Sequence, residues 1–287
     1  MTTIAAQPTQ HGRKEAGRLR MLWRYRELMW MLAWRDIRVR YTHSILGAGW
    51  AIVPPLLMMI TFTFIFGTVM NLESARLTGH KTIPYGLFAL CGLVPWTFFA
   101  NGLSAAVSSL VSNRQLVTKI YFPREVFPLA AIGSALVDFL VAGVLLAVMV
   151  AWYHFRAENW SYSPSWMLLY VPVVGLVQIA FMIGLGLLLS MANLFYRDVA
   201  LLFRALIQLW MFVTCVLYRL EATDGWKRLL IQLNPMTPII RAYRDCVFGG
   251  RNPFDHAFLG ATLTACLVFI VGALAFSRRE DEFAVHI

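Results

Sequence analysis

Long segments without charged residues constrain this chain more than any other feature. The first runs from Ile45 to Met70, well beyond the roughly 20 residues that a helix needs to cross a bilayer. Only 14% of all residues are charged, whereas a soluble domain carries roughly 25%. An all-α membrane protein is therefore expected. Six blocks qualify as spanning helices: 46–70, 83–111, 126–153, 166–195, 199–218 and 257–276.

Lysine and arginine predict which way these six blocks face. An even number of spans places both termini on one side, and that side carries 16 of the 25 basic residues. The excess puts both termini in the cytoplasm. The net charge of +10 is explained by these orientation signals, so no nucleic-acid partner is expected. Residues 1–21 are polar and carry no cleavable secretory signal, so the N terminus is expected to stay in the cytoplasm.

The stretch 22–43 predicts an amphipathic helix that lies in the membrane surface. Aromatic and basic residues form neighbouring stripes on a helical projection, an arrangement that suits rings at the acyl boundary and guanidinium groups at phosphates. The aromatic stripe comprises Trp23, Trp30, Trp34, Ile37 and Tyr41. Polar residues interrupt its apolar side, so part of this helix is expected to contact protein; they are Arg26, Asp36 and Arg40. Ser44, Gly47 and Gly49 then supply a turn into the first span.

The segment 229–248 is expected to enter the membrane without crossing it. Its apolar part is short, is broken by Pro235 and Pro238, and is followed by Arg241 and Arg244. Such a segment is typical of a re-entrant or interfacial element.

Several kinds of chemistry are absent from the sequence. No GxxxxGK[ST] motif occurs, so the chain has no ATP-binding P-loop of its own. The four cysteines form no CxxC pair and are expected to be small apolar residues, with no metal site. Acids in the outer loops are scattered, which argues against a membrane-embedded glycan or lipid transferase.

Asp138 is the acid that lies well inside a block, about 12 residues from its cytoplasmic start. An ionisable residue at that depth is a functional hypothesis by default. Gln178 lies equally deep in the fourth block and is a possible hydrogen-bond partner. No basic partner is evident at this depth in a span, so packing or pore lining is favoured over proton coupling.

Four stretches together resemble the permease subunits of type-2 ABC exporters, within the branch that exports O-antigen, capsular polysaccharide or teichoic acid. The resemblance extends from about residue 22 to 278 and includes the order and spacing of the motifs. The stretches are YTHSILGAGWAIVPPL at 41–56, KIYFPREVFPLA at 119–130, NLFYRDV at 193–199 and NPMTPIIRAYRD at 234–245.

The resemblance implies a homodimer of six-span subunits docked on two copies of a cytoplasmic ABC ATPase, in the inner membrane of a bacterium. ATP and magnesium would bind that partner, and this chain would bind no cofactor. The cargo would be a lipid-linked polysaccharide. The chain then divides into a polar tail (1–21), an interfacial helix (22–43), a permease domain (44–278) and a cytoplasmic tail (279–287).

The resemblance also assigns residues to four regions. The coupling helix at the ATPase, at about 113–121, would comprise Arg114, Leu116, Val117, Lys119, Ile120 and Tyr121. The entrance gate, where lipid headgroups and the substrate pyrophosphate arrive, would comprise Arg35, Arg38, Arg40, Leu46 and Gly47. Channel-lining aromatic residues would come from Phe62, Phe66, Trp96, Phe99, Phe203 and Trp210. The exit region, within the re-entrant segment at about 229–248, would comprise Arg241, Tyr243 and Arg244.

General features of membrane proteins would also explain these residues. The arginines of the entrance would serve equally to bind anionic membrane lipid, and residues 113–125 would serve as an ordinary basic loop. Aromatic residues near span ends are common in any membrane protein. For the cargo, the alternative is a drug or another lipid.

Overall fold

The computed structural model describes residues 23–42, 44, 47–69, 74–76, 82–119, 122–156, 166–218, 225–226, 231, 233–249 and 252–279. The described part is almost entirely helical. Five segments are long and apolar enough to cross a membrane: Gly49–Phe66, Tyr85–Ser112, Val126–Arg156, Trp166–Phe195 and His256–Arg279. The chain is thus a multi-pass membrane protein. The tails 1–21 and 280–287 lie outside the described residues.

The helices follow the chain in a simple order, separated by short connections. They are α1 (Arg26–Tyr41), α2 (Val53–Phe62), α3 (Tyr85–Ser112), α4 (Arg114–Lys119), α5 (Val126–Arg156), α6 (Val171–Phe195), α7 (Asp198–Val213), α8 (Met236–Phe248) and α9 (His256–Arg279). A 3₁₀ turn, Gly47–Ala51, leads into α2, and a π-helical stretch, Thr63–Val69, follows it. Another 3₁₀ turn, Trp166–Tyr170, leads into α6. An antiparallel pair, β1 (Ser74–Arg76) and β2 (Thr82–Pro84), precedes α3.

Helix α3 forms the centre of the bundle. It packs against α2, α5, α6, α7 and α8. Most of its side chains are buried, and Leu90, Leu93, Phe99 and Leu103 are fully enclosed. A predominantly apolar helix that is buried to this extent belongs in the interior of a membrane bundle, and its neighbours then present their outer faces to lipid.

Helices α6 and α9 approach each other closely enough that their contact requires glycine. A methyl group on Gly184 would lie 2.5 Å from the backbone nitrogen of Phe269, and Gly272 lies directly against the Gly184 carbonyl. Small residues let backbones meet in this way, and the resulting van der Waals contact is a main source of helix association in membranes.

Helix α1 packs along the first half of α5, and Leu32 and Ala33 are buried at the contact. The opposite face carries Trp23, Trp30 and Trp34, which are exposed. The prediction that part of this helix contacts protein is confirmed. Trp30 and Trp34 are on the free side, with their rings stacked at 6.1 Å, whereas Ile37 and Tyr41 of the same stripe are half-buried.

The fifth block, whose one charged residue is Arg204, forms a shorter helix than the sequence suggested. Helix α7 has 16 residues and ends at Val213, where the chain continues as turns to Tyr218. The backbone there finds polar partners: Arg244 donates from Nη1 to the Cys215 carbonyl at 2.7 Å and from Nη2 to the Val216 carbonyl. Tyr85 donates its hydroxyl to the Leu217 carbonyl at 2.8 Å. Carbonyls outside a helix need such partners inside a membrane protein.

Candidate functional site

A polar cleft opens between α1, the start of α2, α3 and α5. Its volume is about 660 Å³, in the range of ligand-binding pockets. Its polar lining comes from Arg40, Tyr41, Ser44, Asn101, Ser104 and Asp138. Trp50, Phe98 and Phe139 contribute aromatic walls. The residues of α3 and α5 that line it are near the middle of those spans, so the polar cleft reaches well into the membrane-embedded part of the chain.

An ion pair forms one wall of the polar cleft. Arg40 donates from Nη1 to Asp138 Oδ2, and Tyr41 donates its hydroxyl to Asp138 Oδ1 at 2.6 Å. Burial of the phenol and its bond to Asp138 raise the pKa of Tyr41 to about 12, so Tyr41 keeps its proton at neutral pH and remains a donor.

The partner of Asp138 corrects the expectation from sequence. Gln178 donates instead to the Pro95 carbonyl at 2.8 Å and is fully buried there. Asp138 is also not a lone acid, because Arg40 reaches it from α1, 98 positions away in the chain. The pair cancels the charge of both residues at a depth where an isolated charge is costly.

Other residues that line the polar cleft carry polar groups that lack protein partners. Asn101 and Ser104 are spaced one helical turn apart on α3, and within the described part of the chain no hydrogen bond joins either side chain to another residue. The Ser44 hydroxyl is buried and has no partner either. Unpaired polar groups at this depth require water or a ligand, since lipid offers nothing to bond with.

Helix α4 covers residues 114–119 of the predicted coupling segment and packs on a cluster that it shares with α1. Val117 is buried and Leu116 packs beside it, in a cluster that includes Leu28 and Leu32 of α1. Arg114 is on the exposed side. The side chain of Lys119 is not described, and Ile120 and Tyr121 lie outside the described residues.

A hydrogen bond joins α1 to the start of α4. Arg35 donates from Nη2 to the side-chain oxygen of Asn113 at 2.8 Å and also pairs with Asp36. Of the other residues predicted at the entrance, Arg38 is exposed. Gly47 begins the 3₁₀ turn with φ of +51°, a conformation that favours glycine. Leu46 lies outside the described residues.

The six aromatic residues proposed for channel lining divide into two groups. Trp96, Phe99, Phe203 and Trp210 belong to the central core, where Phe99 lies 5.5 Å from Trp96 and 5.2 Å from Trp210, between ring centroids. Phe62 and Phe66 are half-buried, and their rings are 6.1 Å apart. In this structure Phe99 is completely enclosed by protein.

The predicted exit residues have different surroundings. Arg241 pairs with Asp255. Tyr243 and Arg244 are buried, and the Arg244 guanidinium lies over the Phe88 ring at 3.7 Å while it bonds the carbonyls after α7. The guanidinium donors of Arg244 therefore bond to the backbone of this chain and stabilise its fold. Of the predicted re-entrant segment, the structure describes residues 231 and 233–248, with α8 almost wholly buried.

Asn101, Ser104 and Ser44 were not among the residues predicted from sequence. The sequence does contain a pattern that indicates this polar face. Thr97, Asn101 and Ser104 recur at spacings of four and three and so share one face of α3. The absence of charge that marks this block as a span does not reveal the neutral polar residues within it.

The chain belongs to the ABC-2 type transporter family. The family's sequence profile matches residues 27–248, from α1 through the end of α8. The match therefore includes the polar cleft, the α4 segment and the aromatic core.

Curated relatives resemble the chain over nearly its whole length. The O-antigen export system permease protein RfbA of Myxococcus xanthus is 29% identical over 272 residues, which are 94% of this chain and 98% of that protein. An RfbA of Klebsiella pneumoniae is 29% identical over 90% of this chain and 94% of its own length. The polysialic acid transport protein KpsM of Escherichia coli is 25% identical over 86% of this chain and 91% of its own length.

Proposed function

We propose that this chain is the permease subunit of an ABC exporter that moves a lipid-linked polysaccharide across the bacterial cytoplasmic membrane. The observation that carries the proposal is the end-to-end similarity to O-antigen export permeases, which covers 94% of this chain and 98% of the Myxococcus xanthus protein. Two of the relatives are named for glycan cargoes of different chemistry, O-antigen and polysialic acid. Both cargoes are polysaccharides, and we therefore propose a polysaccharide cargo for this chain.

The proposed assembly contains two copies of this chain and two copies of a cytoplasmic ATPase, which binds ATP and Mg²⁺. Each copy has six spans, with α7 and the turns after it as the fifth. Both termini, the 1–21 and 279–287 tails included, are in the cytoplasm. The segment 229–248 enters the outer leaflet and returns. Surrounding lipids contact the exposed aromatic side of α1.

We infer a mechanical path from the ATPase to the polar cleft. The exposed side of α4 is the contact for the ATPase, and on its buried side Leu116 and Val117 pack in a cluster that also contains Leu28 and Leu32 of α1. The Arg35–Asn113 hydrogen bond provides a second connection. At the far end of α1, Arg40 and Tyr41 hold Asp138. Because α1 is one continuous helix between these contacts, we expect movement of α4 on ATP binding to shift the wall of the polar cleft.

The remaining assignments complete the proposed route. Arg38 and the turn at Gly47 border the cytoplasmic entrance, where guanidinium suits the pyrophosphate of the carrier lipid. Phe62, Phe66 and, after rearrangement of the dimer, the core aromatics line the channel. Arg241 and its surroundings border the exit.

Deletion of this gene, followed by localisation of the long-chain glycan, tests the proposal. Surface glycan is measured by labelling intact cells, and internal glycan by solvent extraction of lysed cells. We expect glycan to disappear from the surface and to accumulate inside, attached to lipid. A plasmid copy of the gene should restore surface glycan.

Two other outcomes would overturn the proposal. Surface glycan that is unchanged by the deletion would indicate a drug or lipid as cargo. Glycan that is missing both from the surface and from the extract would indicate a role in glycan synthesis.

A further inference from the structure

We propose that the polar cleft binds a short stretch of sugar residues of the exported glycan, at a site within one subunit. The inference rests on the proposed function and adds to it the residues that hold the cargo. The carrying observation is the set of unpaired polar groups that line the same cleft of about 660 Å³ as the ion pair.

Several side chains that line the polar cleft have hydrogen-bonding groups without a partner. The Ser44 hydroxyl is buried without a partner. Asn101 offers an amide donor and acceptor and Ser104 a hydroxyl, and neither side chain is bonded to any other described residue. A spanning helix gains nothing in stability from such groups, because leucine or alanine would pack there at lower cost. They fit a ligand that both donates and accepts hydrogen bonds.

The charges that line the polar cleft favour a neutral ligand. Among the residues that the structure describes, the charged ones in the lining of the polar cleft are Arg40 and Asp138, and these neutralise one another. A phosphate headgroup would bring a negative charge to a lining without net positive charge, beside a carboxylate. A neutral polyol brings no such penalty. Hydroxyl groups can donate to free lone pairs of Asp138 and accept from Asn101 while the ion pair stays intact.

Aromatic side chains form walls of the polar cleft on which a sugar ring can pack. Trp50 is half exposed where it borders the polar cleft, and the stacked rings of Phe98 and Phe139, 4.9 Å apart, form another side. Pyranose rings have apolar C–H faces that pack on aromatic rings while their hydroxyl groups bond sideways. Aromatic walls combined with amide, hydroxyl and carboxylate groups therefore match a sugar better than they match an acyl chain.

Site-specific photo-crosslinking in living cells tests this site. A benzophenone amino acid replaces Asn101 in the full chain, produced with its ATPase in cells that make the glycan; Ser104 is the second position. Leu140 is the control, since it is exposed on α5 two positions from Asp138 but does not line the polar cleft. After irradiation and solvent extraction, sugar and phospholipid bound to the protein are both quantified.

We expect protein-bound sugar at Asn101 and Ser104 to exceed that at Leu140 by about tenfold, because a bound ligand reacts at high effective concentration. Protein-bound sugar at Asn101 and Ser104 that does not exceed the Leu140 control would overturn the sugar site. Captured phospholipid would then indicate a cleft filled with lipid, and no captured molecule would indicate a cleft filled with water. If gene deletion abolishes surface glycan in the same strain, the proposed function stands although the site fails.

A substitution provides an independent readout. Asn101→Ala is expected to lower surface glycan about tenfold at unchanged membrane abundance, because the cargo loses its amide partner. Ser108→Ala is the matched control on α3, since the Ser108 hydroxyl bonds its own helix and does not line the polar cleft. Equal export by both variants would count against the site.

Discussion

Asp138 shows how one residue in a span is stabilised by a helix that does not span. Its carboxylate accepts from Arg40 and Tyr41, both at the end of α1. The pair is partly open to the polar cleft, with 39% of the Arg40 side chain and 18% of the Asp138 side chain exposed. Its strength is therefore between that of a surface pair and that of a fully buried one.

A double-mutant cycle on Arg40 and Asp138 measures this pair. Asp138→Asn and Arg40→Gln should each destabilise the protein by about 1–2 kcal/mol, since each leaves the other charge without its partner. The double variant should lose less than the sum of the two, because no unpaired charge remains. Thermal unfolding in detergent is the measurement. Strictly additive losses would mean that the two residues do not interact.

The contact of α6 and α9 leads to a second prediction at the scale of one residue. Gly272→Ala places a methyl group against the Gly184 backbone and should destabilise the protein by about 1–3 kcal/mol. Gly260→Ala in the same helix meets nothing within 4 Å and should be neutral or stabilising by up to about 1 kcal/mol. The difference in unfolding temperature between the two variants checks the close approach. Similar temperatures would contradict it.

At this scale, sequence indicated which residues are unusual but not what they contact. The depth of Asp138 marked it as a polar position in a span, and the interruption of the α1 stripe at Arg40 marked a contact with protein. Their pairing depends on how α1 lies on α5, and no local pattern encodes that geometry. Arg244 is similar: its charge suggested the membrane surface, whereas its donors satisfy carbonyls that appear only once α7 has ended.

At the scale of elements, the lengths of the uncharged blocks predicted four spans closely. Blocks 83–111, 126–153, 166–195 and 257–276 correspond to long helices that begin and end within a few residues of them. Helix α7 differs because hydropathy does not reveal where a helix stops. The helix ends because the backbone of Thr214 is extended, and the Thr214 backbone nitrogen and hydroxyl both donate to the Trp210 carbonyl there.

Helix α4 is the element through which the proposed assembly acts, and proline tests it. The Leu116 backbone nitrogen donates to the Asn113 carbonyl at 2.9 Å, so Leu116→Pro removes a bond of the first turn. We expect loss of co-purification with the ATPase while membrane insertion is retained. Co-purification and membrane abundance are measured in the same preparation.

Leu116→Ala is the matched control for the proline variant. It keeps the backbone donor and shortens only the side chain that packs on α1, so the ATPase should still co-purify. Normal co-purification of Leu116→Pro would contradict the coupling role of α4. Loss in both variants would show that packing on α1 positions α4, and not its helical backbone alone.

At the scale of the whole molecule, the number of crossings decides which surfaces meet the ATPase. Helix α7 is about 24 Å long at 1.5 Å per residue, whereas the hydrocarbon core is about 30 Å thick. The turns after Val213 extend it, and their carbonyls are bonded to Arg244 and Tyr85. A crossing completed by non-helical backbone is therefore physically sound, because its polar groups are satisfied by protein.

Cysteine labelling on either side of α7 tests this crossing directly. Tyr196 and Trp226 are both strongly exposed, at 72% and 69%, and precede and follow the helix. Each is replaced by cysteine in a Cys266→Ser background and treated with a membrane-impermeant maleimide. We expect Trp226→Cys to label in intact cells and Tyr196→Cys to label only after the membrane is opened. If both behave alike, α7 does not cross, the termini lie on opposite sides, and α4 and the C-terminal tail cannot face the same ATPase.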